Sequence, residues 1–204
     1  LLDKLGIELP IIQAPMAGAN GSAMVIEVCE AGGLGSLPCA MLDGAKMRAE
    51  LGIIRQRTSR PVNLNFFCHA PPEPDAQRDA AWKQSLPAYY AELGVDANAP
   101  APVVNRAPFD SAMCEIVEEL KPEVVSFHFG LPKPALLDRV KAAGCVVLGS
   151  ATTAEEARWL ENNGCDVVIA QGNEAGGHRG MFLTADIATQ AGLFALLPQV
   201  VDAV

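Results

Sequence analysis

Apolar residues along the chain come in short, nearly continuous runs, which alternate with longer segments of mixed polarity. Short apolar runs bounded by turn residues are typical of strands that are covered on both faces of a sheet. The pattern predicts six such strands, at 11–16, 33–40, 61–67, 123–130, 145–151 and 165–172.

Three of the mixed segments have the period of an amphipathic helix, because their apolar residues recur every three or four positions. In the last of them Thr153 stands three residues before Glu156, which is the spacing of a capping box, and Gly164 follows at its end. The predicted helices lie within 110–122, 134–144 and 152–164.

Repeated strand–helix units predict an α/β fold with parallel strands joined by right-handed crossovers. Such a chain forms either a (β/α) barrel or an open doubly wound sheet. One connection is much longer than the rest, at about 68–110. A connection of that length is either functional or a surface elaboration that packs on the barrel or on a partner subunit. We therefore predict one domain over 1–204 with a long insert.

The composition narrows the class of protein. Half of the 204 residues are apolar and 19% are charged, so the chain can bury a sizeable core. It has no run of 18 apolar residues and its start lacks the zones of a secretory signal, so we expect a cytoplasmic protein with no membrane span. A formal charge of −9 argues against nucleic acid as a partner.

Six cysteines are scattered singly along the chain, without a CxxC pair. This spacing predicts reduced, buried thiols rather than disulfides. Cys68 and His69 are adjacent, but the spacing of the remaining cysteines and histidines fits no standard zinc pattern, so we expect no metal site.

Polar and small residues gather where the predicted strands end. In parallel α/β folds, ligands bind at the carboxyl ends of strands, so these residues predict a small-molecule site. Glycines in such a turn let the main chain approach a flat ring system or an anion, although neither a P-loop nor a GxGxxG pattern is present. The candidates are Ala14, Pro15, Met16, Asn63, Asn65, Ser126, His128, Gln171, Gly176, Gly177 and His178.

Four stretches of the chain resemble the nitronate monooxygenases, formerly called 2-nitropropane dioxygenases. They are IIQAPMAG, PVNLNFF, VVSFHFGLP and GSATTAEEARWLENNGCDVVIAQGNEAGGHRG, and the resemblance covers essentially the whole chain. The pairing of SFHFGLP with QGNEAGGH is specific, and the segment containing PAYYAELG is similar to the class I branch. Flavin enoyl reductases of lipid synthesis share APM and EAGGH, so these two motifs alone do not separate the families.

The resemblance implies a TIM-type (β/α)8 barrel that binds FMN and oxidises alkyl nitronates, such as propionate 3-nitronate, with O2 to a carbonyl compound and nitrite. It implies that His178 is catalytic and that His128 belongs to the substrate pocket. A homodimer is the expected assembly. The residues implied to contact FMN are Ala14, Pro15, Met16, Asn65, Gln171, Gly176 and Gly177.

Members of this family continue into two further strands that bind the FMN phosphate, whereas about six of the eight strands are predicted here. We therefore expect either that the sequence is a piece of a longer protein or that another chain completes the barrel. Two other functions stay open: a different flavin oxidoreductase of the enoyl or quinone reductase type, and a truncated homologue that only dimerises or binds a ligand.

Overall fold

The computed structural model describes residues 1–71, 73–96, 99 and 107–204. Part of the predicted insert at about 68–110 therefore lies outside the described residues. In the described ranges no helix combines the length and apolar character needed to cross a membrane. The strands are β1 (Gly35–Pro38), β2 (Val62–Phe67), β3 (Val124–His128), β4 (Val146–Ala151) and β5 (Val167–Ala170). The helices are α1 (Leu2–Leu5), α2 (Ser22–Glu30), α3 (Gly44–Arg57), α4 (Ala76–Gln84), α5 (Pro87–Leu93), α6 (Ser111–Leu120), α7 (Pro134–Ala142), α8 (Ala154–Asn162) and α9 (Leu193–Val201), with a 3₁₀ turn at Ile187–Thr189.

The five strands form one parallel sheet in the order in which they occur along the chain, β1 to β5. In a doubly wound sheet the order in which strands are added reverses at a switch point. In a (β/α) barrel each strand lies beside the previous one along the chain. The predicted α/β barrel class is confirmed, and these strands form part of such a barrel. Strands β1 to β4 are almost completely buried, as their continuous apolar runs predicted, and β5 is half-buried.

The predicted strand at 11–16 is wrong, because this segment makes only a single parallel bridge between Ile12 and Leu34. The Leu34 amide donates to the Ile11 carbonyl, and the Gln13 amide donates to the Leu34 carbonyl. Pro15 has no N–H to continue the ladder. The next amide, of Met16, donates to the side chain of Asn20 at 2.7 Å and turns the chain away.

The main core lies between the sheet and helices α2, α3, α6 and α7. Its centre is aromatic: the Phe109 ring lies 4.9 Å from Phe66 and 5.1 Å from Phe127, in edge-to-face contacts. Since successive strand residues point to opposite faces, Phe66 on the core side leaves Asn63 and Asn65 on the other face of β2. The sheet thus separates an apolar face from one that carries polar side chains.

The chain divides into two compact units, Leu1–His69 together with Arg106–Val204, and Ala70–Asn105. The second unit contains α4 and α5. Asp75 caps α4 by accepting a hydrogen bond from the Arg78 amide at 2.9 Å. Neither helix has a buried residue, and the side chain of Trp82 is 69% exposed.

All six cysteines are free thiols, as their spacing predicted, and four of them are buried. Burial raises the pKa of Cys39 to about 12 and that of Cys145 to about 11. These thiols stay protonated near neutral pH, which makes them poor nucleophiles.

Candidate active site

The polar strand ends predicted from the sequence meet at one edge of the sheet. Asn65 on β2 pairs in register with Ser126 on β3, and His128 comes two residues after Ser126 on the same strand. Gln171 directly follows β5, and its amide N–H donates to the carbonyl of Ala151 at the end of β4 at 2.8 Å. The carboxyl ends of these strands are where a (β/α) barrel builds its active site.

A hydrogen-bonded group of buried amides and hydroxyls, the amide cluster, joins β1, β2 and β3. Its members are Ser36, Asn63, Asn65 and Ser126. The Asn63 Nδ2 donates to Ser36 Oγ and to Ser126 Oγ, both at 2.9 Å. The Asn65 Nδ2 also donates to Ser126 Oγ at 2.9 Å. The cluster cross-links the side chains of three neighbouring strands on one face of the sheet.

The amide cluster keeps unused hydrogen-bonding capacity. Ser126 Oγ accepts from two amides, so its own proton must be donated elsewhere. Asn63 is 2% exposed, and among the described residues its Oδ1 atom has no hydrogen-bond partner. Buried polar atoms are seldom left without a partner, because this costs about 1–3 kcal/mol. An N–H donor from a bound ligand would satisfy this oxygen.

The side chain of Gln171 binds back to the main chain of the glycine-rich segment that follows β5. Its Nε2 donates to the His178 carbonyl at 3.0 Å, and its Oε1 accepts from the Gly180 amide at 2.7 Å. His128 Nε2 lies 3.2 Å from the same His178 carbonyl. Two side chains from the ends of different strands therefore hold the main chain of His178.

This contact determines the tautomer of His128. A carbonyl oxygen can only accept, so Nε2 carries the proton and the neutral ring keeps a lone pair on Nδ1. The pKa of His128 is lowered, chiefly because the ring is buried and also because of repulsion from His178. The hydrogen bond to the His178 carbonyl offsets part of this effect. The His128 ring can lie close to the main chain of residue 180 because that residue is glycine. A Cβ there would lie 2.7 Å from His128 Cε1.

All three histidines of the chain lie around a pair of phenylalanines. The His178 ring centre is 5.2 Å from that of Phe67 and 5.8 Å from that of Phe129. His128 lies 4.6 Å from Phe129, and His69 lies about equally far from both rings, at 6.2 and 6.0 Å. Phe67, Phe129 and His69 were missed as site residues in the sequence. The sequence did place these rings at the end of β2 or within two residues after the ends of β2 and β3.

Phe129 has a backbone φ of +67°, in the left-handed region that non-glycine residues seldom adopt. Such a conformation costs about 1–3 kcal/mol and persists where the surroundings impose it, often at functional sites. Gly130 follows with a φ of +87°, so the chain leaves β3 through two left-handed residues. This turn holds the Phe129 ring against His178.

The model of the nitronate monooxygenase family matches residues 1–204 of the chain. The chain belongs to this family. A nitronate monooxygenase of Paraburkholderia phytofirmans is 41% identical over 197 residues, which are 96% of this chain and 54% of that protein. The chain spans about half the length of the curated relatives it matches.

Two solved structures are similar to the chain in fold and sequence. A nitroalkane oxidase from Streptomyces ansochromogenes has a TM-score of 0.87 and 37% identity, and the match covers all of this chain and 58% of that one. FabK from Thermotoga maritima has a TM-score of 0.69 and 25% identity, covering all of this chain and 50% of that one. Of these two, the nitroalkane oxidase is the closer in both fold and sequence.

In this member of the nitronate monooxygenase family, the remaining predicted residues lie in two exposed turns. Ala14 and Met16 are exposed and Pro15 is half-buried, and this turn is tied to β1 where Gln13 Oε1 accepts from the Ser36 amide at 3.0 Å. Gly176 and Gly177 stand open, since a Cβ at either would meet no atom within 4 Å. Only Gly177 requires glycine for its backbone, with a φ of +77°.

Proposed function

We propose that the chain forms part of an FMN-dependent nitronate monooxygenase, which oxidises alkyl nitronates such as propionate 3-nitronate with O2 to a carbonyl compound and nitrite. Membership of the family supports the reaction class. The observation that carries the proposal is the arrangement around His178, whose main chain is held by Gln171 and His128 while its ring is exposed beside two phenylalanines.

The described residues fit FMN. A flavin offers a ring N–H to a buried acceptor, and the unpartnered Oδ1 of Asn63 is such an acceptor. The turn at Gly176 and Gly177 has room for a ring system next to the main chain. Gln171 keeps one N–H and one oxygen lone pair beyond its two loop contacts. Besides Asn63, the residues proposed to hold FMN are Ala14, Pro15, Met16, Asn65, Gln171, Gly176 and Gly177.

When bound, FMN would supply the redox chemistry, and the protein would supply position and proton transfer. A nitronate is already deprotonated at carbon, so it reacts without a base. A neutral nitroalkane must first lose a proton, and the imidazole of His178 would accept it as a general base. His128, with its lone pair on Nδ1, would accept a hydrogen bond from substrate or water.

The proposal is tested by supplying propionate 3-nitronate and O2 to the FMN-loaded full-length protein and measuring nitrite. We expect nitrite to form at a rate proportional to enzyme and to stop when O2 is removed. NADH is the control reductant. Bleaching of the flavin by NADH, with no nitrite from the nitronate, would favour the reductase function and refute this one.

Replacing Gly176 by alanine tests the flavin contact separately. The methyl group meets no protein atom within 4 Å and the backbone needs no left-handed φ, so the stability of the flavin-free protein is expected not to fall. If the flavin lies on this turn, the methyl group pushes on it and the Kd for FMN rises about tenfold or more, equivalent to about 1.4 kcal/mol. Titration with FMN, followed by flavin fluorescence, measures the change.

Gly52→Ala is the matched control, because Gly52 lies in α3 and is equally open. Its FMN affinity should equal that of the unchanged protein. An unchanged Kd in Gly176→Ala as well would remove this glycine from the proposed flavin site.

A further inference from the structure

Glu156 is a completely buried acidic residue in the first turn of α8. Its two oxygens accept four hydrogen bonds. Oε2 accepts from the main-chain amide and the hydroxyl of Thr152, at 2.7 and 2.8 Å. Oε1 accepts from the amides of Phe182 and Leu183, at 2.7 and 3.2 Å. The side chain therefore joins the end of β4 to the segment that follows His178.

The predicted capping box is only half formed, and its missing half is informative. Thr153 accepts from the Glu156 amide at 3.1 Å, as a helix cap should. The Glu156 side chain does not return to Thr153. It binds the preceding residue, Thr152, and reaches across to Phe182, 26 positions further along the chain. A helix cap alone needs no contact with Phe182, so Glu156 has a second structural role.

This second role concerns the segment that carries His178. On the N-terminal side of His178, Gln171 holds the main chain of the segment, and the Glu174 carboxylate accepts from the Leu193 amide at 2.9 Å, at the start of α9. On the far side, Glu156 holds the amides four and five residues after His178. The Phe182 ring adds to this anchor by packing 5.1 Å from the ring of Trp159 on α8.

We propose that Glu156 is a positioning residue, which fixes the far end of the His178 segment and so sets the place of the imidazole. The inference rests on the proposed role of His178. Glu156 does not touch the candidate substrate region itself, and it acts through the main chain at Phe182 and Leu183. Proton removal from a neutral nitroalkane should depend on this position, because a misplacement of about 1 Å can cost about 100-fold in rate.

Glu156→Gln is the decisive variant because it keeps the size of the side chain. Each oxygen of Glu156 faces at least one main-chain N–H, which can only donate. An amide NH2 at either position therefore opposes a donor, and one of the two anchors must open. Glu155→Gln is the matched control, since the Glu155 side chain is 74% exposed and lies 4.0 Å from Arg158 on the same helix.

The experiment uses the full-length, FMN-loaded enzyme and two readouts. Amide hydrogen exchange at Phe182 and Leu183 is expected to rise at least about tenfold in Glu156→Gln, with no rise in the α6–α7 core. Turnover (kcat) of a neutral nitroalkane is expected to fall by about 10- to 100-fold, with little change in kcat for a preformed nitronate. Glu156→Asp, which keeps the acceptor oxygens on a shorter side chain, should recover part of the loss. Glu155→Gln should match the unchanged enzyme in both readouts.

Unchanged exchange at Phe182 and Leu183 would overturn the inference. Equal losses on both substrates, in parallel with a lowered Tm, would also overturn it, because a residue that only stabilises the fold has that effect. The exchange measurement needs no turnover. An inactive parent enzyme would therefore refute the proposed function, while the exchange rates would still decide whether Glu156 anchors the segment.

Discussion

His178→Asn is expected to slow the oxidation of a neutral nitroalkane by about 10²- to 10⁴-fold, the usual contribution of a positioned general base. Asparagine cannot take up the proton. Oxidation of a preformed nitronate should change far less, because that substrate has already lost it. Initial rates of nitrite formation from both substrates, at the same pH and flavin content, measure the two effects.

The variant carries its own control. Gln171 and His128 bind the carbonyl of residue 178, which is main chain and is retained in the variant. The segment should therefore keep its place, and a difference between the two substrates can be attributed to the imidazole. Equal losses on both substrates would show that His178 is not the base.

Phe127→Ala is expected to lower the free energy of unfolding by about 3–5 kcal/mol, the usual cost of deleting a buried aromatic ring. Phe127 is completely buried and lies 5.1 Å from Phe109 and 6.4 Å from Phe66, so its loss leaves a cavity that neighbouring rings cannot fill. Since domains are stable by only about 5–15 kcal/mol, the loss is large. Urea denaturation followed by circular dichroism measures it.

Trp82→Ala removes a larger ring from an exposed position of α4. It is expected to change the free energy of unfolding by less than about 0.5 kcal/mol. If both variants lost the same stability, the aromatic centre of the core would not be where the folding energy is concentrated. Phe127 also stands between Ser126 and His128 on β3. Its replacement should therefore disturb the candidate site as well as the core.

The fold was largely predictable because its strands are local signals. Short apolar runs, separated by helical periods, identified β1 to β5 within a few residues. The segment at 11–16 has the same apolar character, but whether it forms a strand depends on its neighbours. Pro15 ends its ladder, and only the bridge between Ile12 and Leu34 remains.

The candidate site was predictable where it depends on strand spacing. Asn63 and Asn65 are two positions apart and therefore lie on one face of β2, where the structure adds that both bind Ser126. The role of Glu156 was not predictable, because its partners Phe182 and Leu183 are distant in sequence and a local motif gave its position another meaning. The left-handed φ of Phe129 was equally hidden, since non-glycine residues seldom adopt it and the local sequence gives no sign of it.

The sequential strand order also has a consequence for how the chain folds. β3 pairs with a strand about 60 positions earlier in the sequence, whereas β4 pairs with one only about 20 positions earlier. Closing the longer loop costs about 1 kcal/mol more chain entropy. The pairing of β2 with β3, which places Asn65 opposite Ser126, is then the slowest of these strand pairings to nucleate. The chain would thus complete its candidate active site only after the neighbouring β3–β4 and β4–β5 pairs have formed.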